Sequence, residues 1–308
     1  MQSKSNQEEG LTVTMPVESR RWSFDGFRGE LGRMPLMMGI VNVTPDSFSD
    51  GGQFFKTDTA VEHALQLVAE GADILDVGGE STRPGAQDVP VDEELQRVLP
   101  VIKQLAKKVD IPISVDTSKA EVARQSLMVG ARIVNDISGL TFDSRMIDVC
   151  REFQCGVVAM HIQGVPRTMQ NEPHYSDVVQ EICLFFRERL QTLTAAGVDP
   201  ERIIFDPGIG FGKSATHNLQ ILSHIKQLRS LGRPVMIGHS RKRFLKNISG
   251  RDVDQRLFGT LGVSIALANQ HADILRVHDV AGNRDAVTAF FAISHESQTT
   301  GPETQAMC

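Results

Sequence analysis

The chain has 308 residues, 41% of them hydrophobic and 23% charged, with a formal net charge of −6 at pH 7. That is the composition of an ordinary globular protein, and the acidic balance argues against a general nucleic-acid binder, which carries a basic surplus. The N-terminal MQSKSNQEEG lacks the apolar centre of a signal peptide and no apolar run approaches the ~20 residues that span a bilayer, so the expected setting is the cytoplasm, with no membrane partner.

Residues 1–20 and 296–308 are polar and poor in aromatics, and are expected to be disordered tails around one domain over 21–295. Residues 21–35 are expected to form a short lead-in beneath that domain. Eight apolar runs follow: LMMGIVN (36–42), DILDVGGE (73–80), PISVDTS (112–118), RIVND (132–136), GVVAMH (156–161), RIIFDPG (202–208), PVMIGHSRK (234–242) and DILRVHD (273–279). Continuous rather than alternating apolar residues suit strands covered on both faces, as in parallel sheets. Helical stripes lie between them. The first carries Val61, Ala64, Leu65 and Val68 and ends at Gly71, and the second carries Leu95, Val98, Leu99, Ile102 and Leu105. Pro100 should bend or break the second. Further stripes cover 119–129, 143–153, 176–196, 216–231, 254–270 and 283–294, with Asp143 a candidate N-cap and Gly197 and Gly232 candidate stops. Two long loops rich in Gly, Pro, Ser and Asp, 43–57 and 80–90, follow the first two runs, which is where functional loops belong.

Eight strand-then-helix units in about 260 residues predict a single (β/α)8 barrel, an α/β fold whose chemistry sits at the C-terminal strand ends. Asn42, Asp76, Asp116, Asn135, Asp136, His161, Asp206, Lys242, Arg276 and His278 all fall near such ends. Acceptors and an amide from separate strands (Asp116, Asn135, Asp206) suit a heterocycle with several N–H donors; the competing reading for each is a helix cap. Asp76, Asp136 and His161 are assigned structural or supporting roles. Lys242, Arg276 and His278 follow strands seven and eight, where barrels bind phosphate, with surface salt bridges as the alternative. DPGIGFGKS fails the phosphate-loop pattern because Pro207 replaces the first glycine, leaving a glycine-rich turn that lets a flat ligand approach the backbone. The four cysteines, Cys150, Cys155, Cys183 and Cys308, form no CxxC pair and no metal-ligand spacing.

Eight blocks in order, MGIVNVTPDSFSDGG, GADILDVGGESTRPGA, SVDTSKAEVA, VNDISG, MHIQGVPRTMQ, DPGIGFGK, GHSRKRFL and RVHDV, resemble the bacterial dihydropteroate synthase family over about residues 36–290. The resemblance implies condensation of 6-hydroxymethyl-7,8-dihydropterin pyrophosphate with 4-aminobenzoate, giving 7,8-dihydropteroate and pyrophosphate in folate synthesis. It also implies a homodimer. In the same terms, Asp116, Asn135, Asp206 and Lys242 would hold the pterin, with Met160 near its ring. Asn42 would ligate a Mg2+ shared with pyrophosphate, and Arg276 and His278 would bind that leaving group. Phe48 and Asp50 in the first loop, with Thr82 and Arg83 in the second, would close over the site. Pro84, Phe211 and Ser240 would border the 4-aminobenzoate pocket.

Val41, Ile162 and Val165 depart from common family residues only in volume. Arg243 stands where many members carry serine, and an arginine there could pair with the 4-aminobenzoate carboxylate or face solvent. Two other readings share the barrel: a methyltetrahydrofolate-binding methyltransferase, which should lack the combined TPDSFSDGG and STRPGA loops, and a catalytically silent pterin-binding protein, which would have no use for Asn42, Arg276 and His278.

Overall fold

The computed structural model describes residues 20–32, 34–44, 53–81, 85 and 87–299, with 53–56 and 295–299 described in backbone alone. A hairpin of β1 (Arg20–Phe24) and β2 (Phe27–Leu31) leads into β3 (Leu36–Asn42), β4 (Ile74–Gly78), β5 (Ile113–Asp116), β6 (Ile133–Asp136), β7 (Gly156–Met160), β8 (Ile203–Asp206), β9 (Met236–Ile237) and β10 (Ile274–Val277). The last eight form one parallel sheet in the order β8-β7-β6-β5-β4-β3-β10-β9. A parallel bridge from Phe205 to Val235, and a bond from the Phe205 N–H to the Pro234 carbonyl (3.0 Å), join its two edges. The result is the expected (β/α)8 barrel.

Around it lie α1 (Gln53–Ala69), α2 (Val91–Leu105), α3 (Ala120–Met128), α4 (Met146–Phe153), α5 (Val178–Ala195), α6 (Ala215–Ser223), α7 (Ile225–Arg229), α8 (Phe244–Ser249), α9 (Leu257–Asn269) and α10 (Val280–Thr299). The barrel strands are largely apolar below their C-terminal ends because each faces two cores. Leu75 and Val77 of β4 pack outward among Val98, Ile102 and other helix residues. Their neighbour Ile74 turns inward, to a layer with Met38, Ile133, Val158, Ile204, Met236 and Ile274. Trp22, Phe24 and Leu31 of the hairpin cover this layer from below, and the Trp22 indole N–H donates to the Arg202 carbonyl at 3.0 Å. The lead-in therefore floors the barrel as expected.

Several boundaries differ. Pro100 does not break α2; it is exposed, so the bond it cannot donate is missing only on the water-facing side. α1 starts at Gln53, inside the expected loop 43–57, and α10 runs through Thr299, past residue 295. Asp143 sits two residues before the Arg145 cap of α4, and its carboxylate also accepts from the Ala120 N–H at the start of α3 (3.0 Å). β9 keeps only two residues of its apolar run, and the backbone four residues on passes through a left-handed Arg241 (φ 56°).

Candidate active site

Strand alternation decides which side chains reach the mouth. Ile74, Ile133, Val158, Ile204 and Ile274 point inward at the floor, so the residues two positions on share that face: Asp76, Asn135, Met160, Asp206 and Arg276. Register sets Asp116 beside Asn135 and Met160 beside Asp206, while Asn42 ends β3 level with Gly78.

At the centre, Arg276 donates from Nε to Asp76 Oδ2 (2.6 Å) and from Nη2 to Asp116 Oδ2 (2.7 Å). Asn135 Nδ2 reaches the same Asp76 oxygen at 3.0 Å. Asp76 is thus the hub beneath the mouth, a supporting role whose importance the sequence did not show. Burial would lower the Arg276 pKa, but the charges of Asp76 and Asp116 hold it above the usual range. Burial raises Asp116 to about 7, against the Arg276 charge and with Asp76 adding to the rise.

Asp206 accepts the Gly208 N–H at 2.8 Å, and burial raises it to about 6 despite that bond and the nearby Lys242 charge. Lys242 is lowered to about 8 by burial and by Arg276. Its Nζ lies 4.2 Å over the Phe211 ring, a cation–π contact. Beside these charges Ile137, Met160, Met169 and Phe211 form a small apolar cluster. Gly208, with φ 67°, lies so close to the His161 carbonyl that a Cβ would collide with it. Gln170, Tyr175 and buried Lys213 donate to the carbonyls of Gly210, Gly212 and Phe211 (2.6, 3.0 and 2.8 Å), fixing the turn that presents Phe211. His161 meets Lys213 Nζ at 3.1 Å and is lowered by burial, which fits its structural role. Asp136 turns into its own loop, accepting from the Ser138 N–H and hydroxyl, both at 2.7 Å.

The chain that carries this polar ring is similar to known proteins. Residues 38–278 match the family described as pterin binding enzyme. The dihydropteroate synthase of Synechocystis sp. is 46% identical over 250 residues, 81% of this chain and 86% of its own. A Xanthomonas albilineans dihydropteroate synthase solved with 4-aminobenzoic acid superposes with a TM-score of 0.84 at 44% identity, covering 92% of this chain and 100% of that one. A structure from the same organism in complex with 7,8-dihydropteroate gives 0.80 at 41% identity, covering 91% and 100%. The chain belongs to the dihydropteroate synthase family.

Membership over the whole barrel does not favour the methyltransferase or the silent-binder reading. Of the residues that the family resemblance selects, Asp116, Asn135, Met160, Asp206, Phe211, Lys242 and Arg276 gather at the mouth with Asn42 at its edge. Ser240 is buried and its Oγ accepts the His278 N–H at 3.2 Å, with His278 Nδ1 at 3.0 Å. Burial, together with Arg276 and Arg241, lowers His278 to about 3, so it meets the mouth as a neutral ring. Arg243 stands exposed before α8. Phe48, Asp50, Thr82, Arg83 and Pro84 lie outside the described residues.

Proposed function

We infer that this chain condenses 6-hydroxymethyl-7,8-dihydropterin pyrophosphate with 4-aminobenzoate to give 7,8-dihydropteroate and pyrophosphate, a transferase step of folate synthesis. One observation carries the reading at the level of chemistry. Asp116 and Asp206 are both raised into the range of about 6 to 7 by burial, at the mouth above the barrel's apolar floor. Each carboxylate has lone-pair sites beyond those its protein donors fill, and a flat ring bearing N–H donors would supply the partners. The pterin ring is such a ligand, with Met160 and Phe211 against its faces.

With the pterin so held, its methylene–oxygen bond breaks and the electron pair leaves with pyrophosphate. The aniline nitrogen of 4-aminobenzoate forms the new carbon–nitrogen bond and releases a proton. Two of the five Arg276 donors serve Asp76 and Asp116, and the rest of the fork remains to meet the departing anion beside His278. Preorganised donors of this kind stabilise charge as it develops. Lys242, cationic below about 8, adds to the same field. No protein nucleophile takes part in these steps.

A magnesium ion belongs to this proposal. Asn42 offers one hard amide oxygen, and magnesium commonly keeps its waters and substrate phosphates while taking one or two protein ligands. When bound, the ion would offset charge on the leaving pyrophosphate.

A homodimer is proposed from α9. Its sequence LFGTLGVSIALAN carries no charge, and a helix apolar all round is ordinarily buried. Yet Phe258 on its outer side is 81% exposed, as is Ile293 of α10 at 73%, so a second copy is the proposed cover. No helix among the described residues is long and apolar enough to cross a membrane, and a cytoplasmic setting is proposed.

The test supplies both substrates with magnesium and follows dihydropteroate and pyrophosphate together. Equimolar formation of both, dependent on 4-aminobenzoate, is the expected result; pyrophosphate release without dihydropteroate would overturn the reading. Sedimentation of the wild type and of Phe258→Asp tests the dimer, which predicts dissociation of the variant.

A further inference from the structure

His278, assigned above to the pyrophosphate, is held by Ser240 Oγ through its N–H (3.2 Å) and Nδ1 (3.0 Å), yet the ladder beneath the two residues is short. β9 and β10 pair only at Ile274↔Met236 and Leu275↔Ile237, three residues below each of Ser240 and His278. Beyond those pairs a buried polar chain links the two segments. His239 Nε2 lies 2.8 Å from Ser264 Oγ on α9, and Ser264 Oγ lies 2.6 Å from Asn283 Oδ1 on α10. Asn283 Nδ2 in turn lies 2.6 Å from the carbonyl of Asp279, the residue after His278. His239, Ser264 and Asn283 are each 0% exposed.

Donor arithmetic gives this chain a direction. The Asp279 carbonyl only accepts, so the amide nitrogen of Asn283 must face it and Oδ1 must face Ser264. Two oxygens at that separation repel unless a proton lies between them, so the single Ser264 hydroxyl proton points to Asn283. The Ser264 oxygen is then free only to accept, and His239 must carry its proton on Nε2. Nδ1 lies 3.5 Å from the Ile237 carbonyl, too far for a strong bond. Burial also lowers His239 to about 4, so the chain is uncharged at neutral pH.

We propose that His239, Ser264 and Asn283 form a one-way hydrogen-bond chain that sets the spacing of Ser240 and His278, and so the grip of the site on pyrophosphate. It rests on the function inferred above. His239 is a positioning residue: it acts through its chain neighbour Ser240. Where the ladder stops, the chain backs the direct bond from the His278 N–H to Ser240 Oγ (3.2 Å), and the Arg241–Asp279 ion pair (2.5 Å) ties the same segments nearer the surface.

Magnesium pyrophosphate, and separately 6-hydroxymethylpterin without pyrophosphate, are titrated by calorimetry into the wild type, His239→Leu, Asn283→Leu and His239→Gln. Either leucine variant should weaken pyrophosphate about tenfold and raise the KM for the pterin pyrophosphate alike, while pterin affinity stays within about twofold. His239→Gln keeps an N–H near the Nε2 position and should restore affinity to within about threefold. The double leucine variant should be no weaker than the worse single, because one chain is broken once. Nitrogen NMR should show a neutral His239 protonated at Nε2.

A lowered Tm with unchanged pyrophosphate affinity, equal weakening of both ligands, or a proton on Nδ1 would overturn the proposal. Should the leucine variants fail to fold, Ser264→Ala removes only the hydroxyl and is judged by the same readouts. Wild-type chain that binds pyrophosphate but makes no dihydropteroate would fault the functional reading, whereas the titrations judge the chain itself.

Discussion

The floor and the mouth of this barrel are built from the same inner face of the same strands, two residues apart. Ile74, Ile133, Ile204 and Ile274 join Trp22 and Phe24 below, and the next inward positions are Asp76, Asn135, Asp206 and Arg276. The floor stabilises the fold by removing apolar surface from water. The mouth does the opposite: burial raises Asp116 and Asp206 and lowers Lys242 and His278, so each holds its charge less readily than it would in water. One step of the pleat separates residues that hold the fold from residues that wait for a ligand.

The largest expected effect tests the floor. Trp22→Ala should destabilise the chain by about 3–5 kcal/mol, the usual cost of emptying a buried aromatic site, without changing either substrate's KM. Denaturant melts beside kinetics check this, and a KM shift comparable to a mouth variant's would erase the contrast between the two ends.

Asp206→Ala is the matching change above. It should weaken pterin binding by about a hundredfold, because charged hydrogen bonds are each worth roughly 1.5–3 kcal/mol, with little loss of stability. Near-normal affinity in calorimetry would make Asp206 a mere brace for Gly208.

The contrast also has a pH signature. Folding raises Asp206 from 3.8 to about 6 and Asp116 to about 7. A raised carboxylic pKa gives stability that is fully present below 3.8 and is lost as pH rises through the folded value. Ligand-free chain should therefore lose part of its stability between about pH 4 and 7 as pterin affinity grows. Asp206→Asn should flatten the stability part of that slope; urea midpoints across this range that are identical for both proteins would refute it.

Asn42→Ala should lower kcat roughly tenfold while pterin alone binds as before, since the residue would act on the leaving group. Equal loss for pterin and pterin pyrophosphate would contradict that role. The smallest effect is expected at Arg243. Being exposed, its pair with the 4-aminobenzoate carboxylate should be worth at most about 1 kcal/mol, a KM change of up to about fivefold in Arg243→Ala. No change at all would leave Arg243 to solvent.

The barrel was legible because apolar runs covered on both faces cannot alternate, and because Asp116, Asn135 and Asp206 end runs from separate strands. Asp76 as hub was not, since its bond to Arg276 joins positions 200 residues apart and depends on register. The neutrality of His278 was hidden for another reason: RVHD shows a titratable ring, and only its burial fixes the charge. Pro100 misled because a proline on a water-facing turn leaves nothing buried unpaired. The chain from His239 to Asn283 joins unremarkable letters that only the packing of α9 and α10 brings into line.

The floor has one more consequence. The sequence contains one tryptophan and one tyrosine, and the fold sends them to opposite ends. Trp22 is sealed among Phe24 and Phe27 below, and Tyr175 bonds the Gly212 carbonyl in the turn that presents Phe211 above. The chain thus carries its own pair of optical reporters. Light absorbed by the indole alone should give blue, quencher-resistant emission that ignores ligands and reddens only as the barrel floor opens. The phenol's ultraviolet absorption should shift when the mouth fills, so binding and unfolding can be watched in one unlabelled sample.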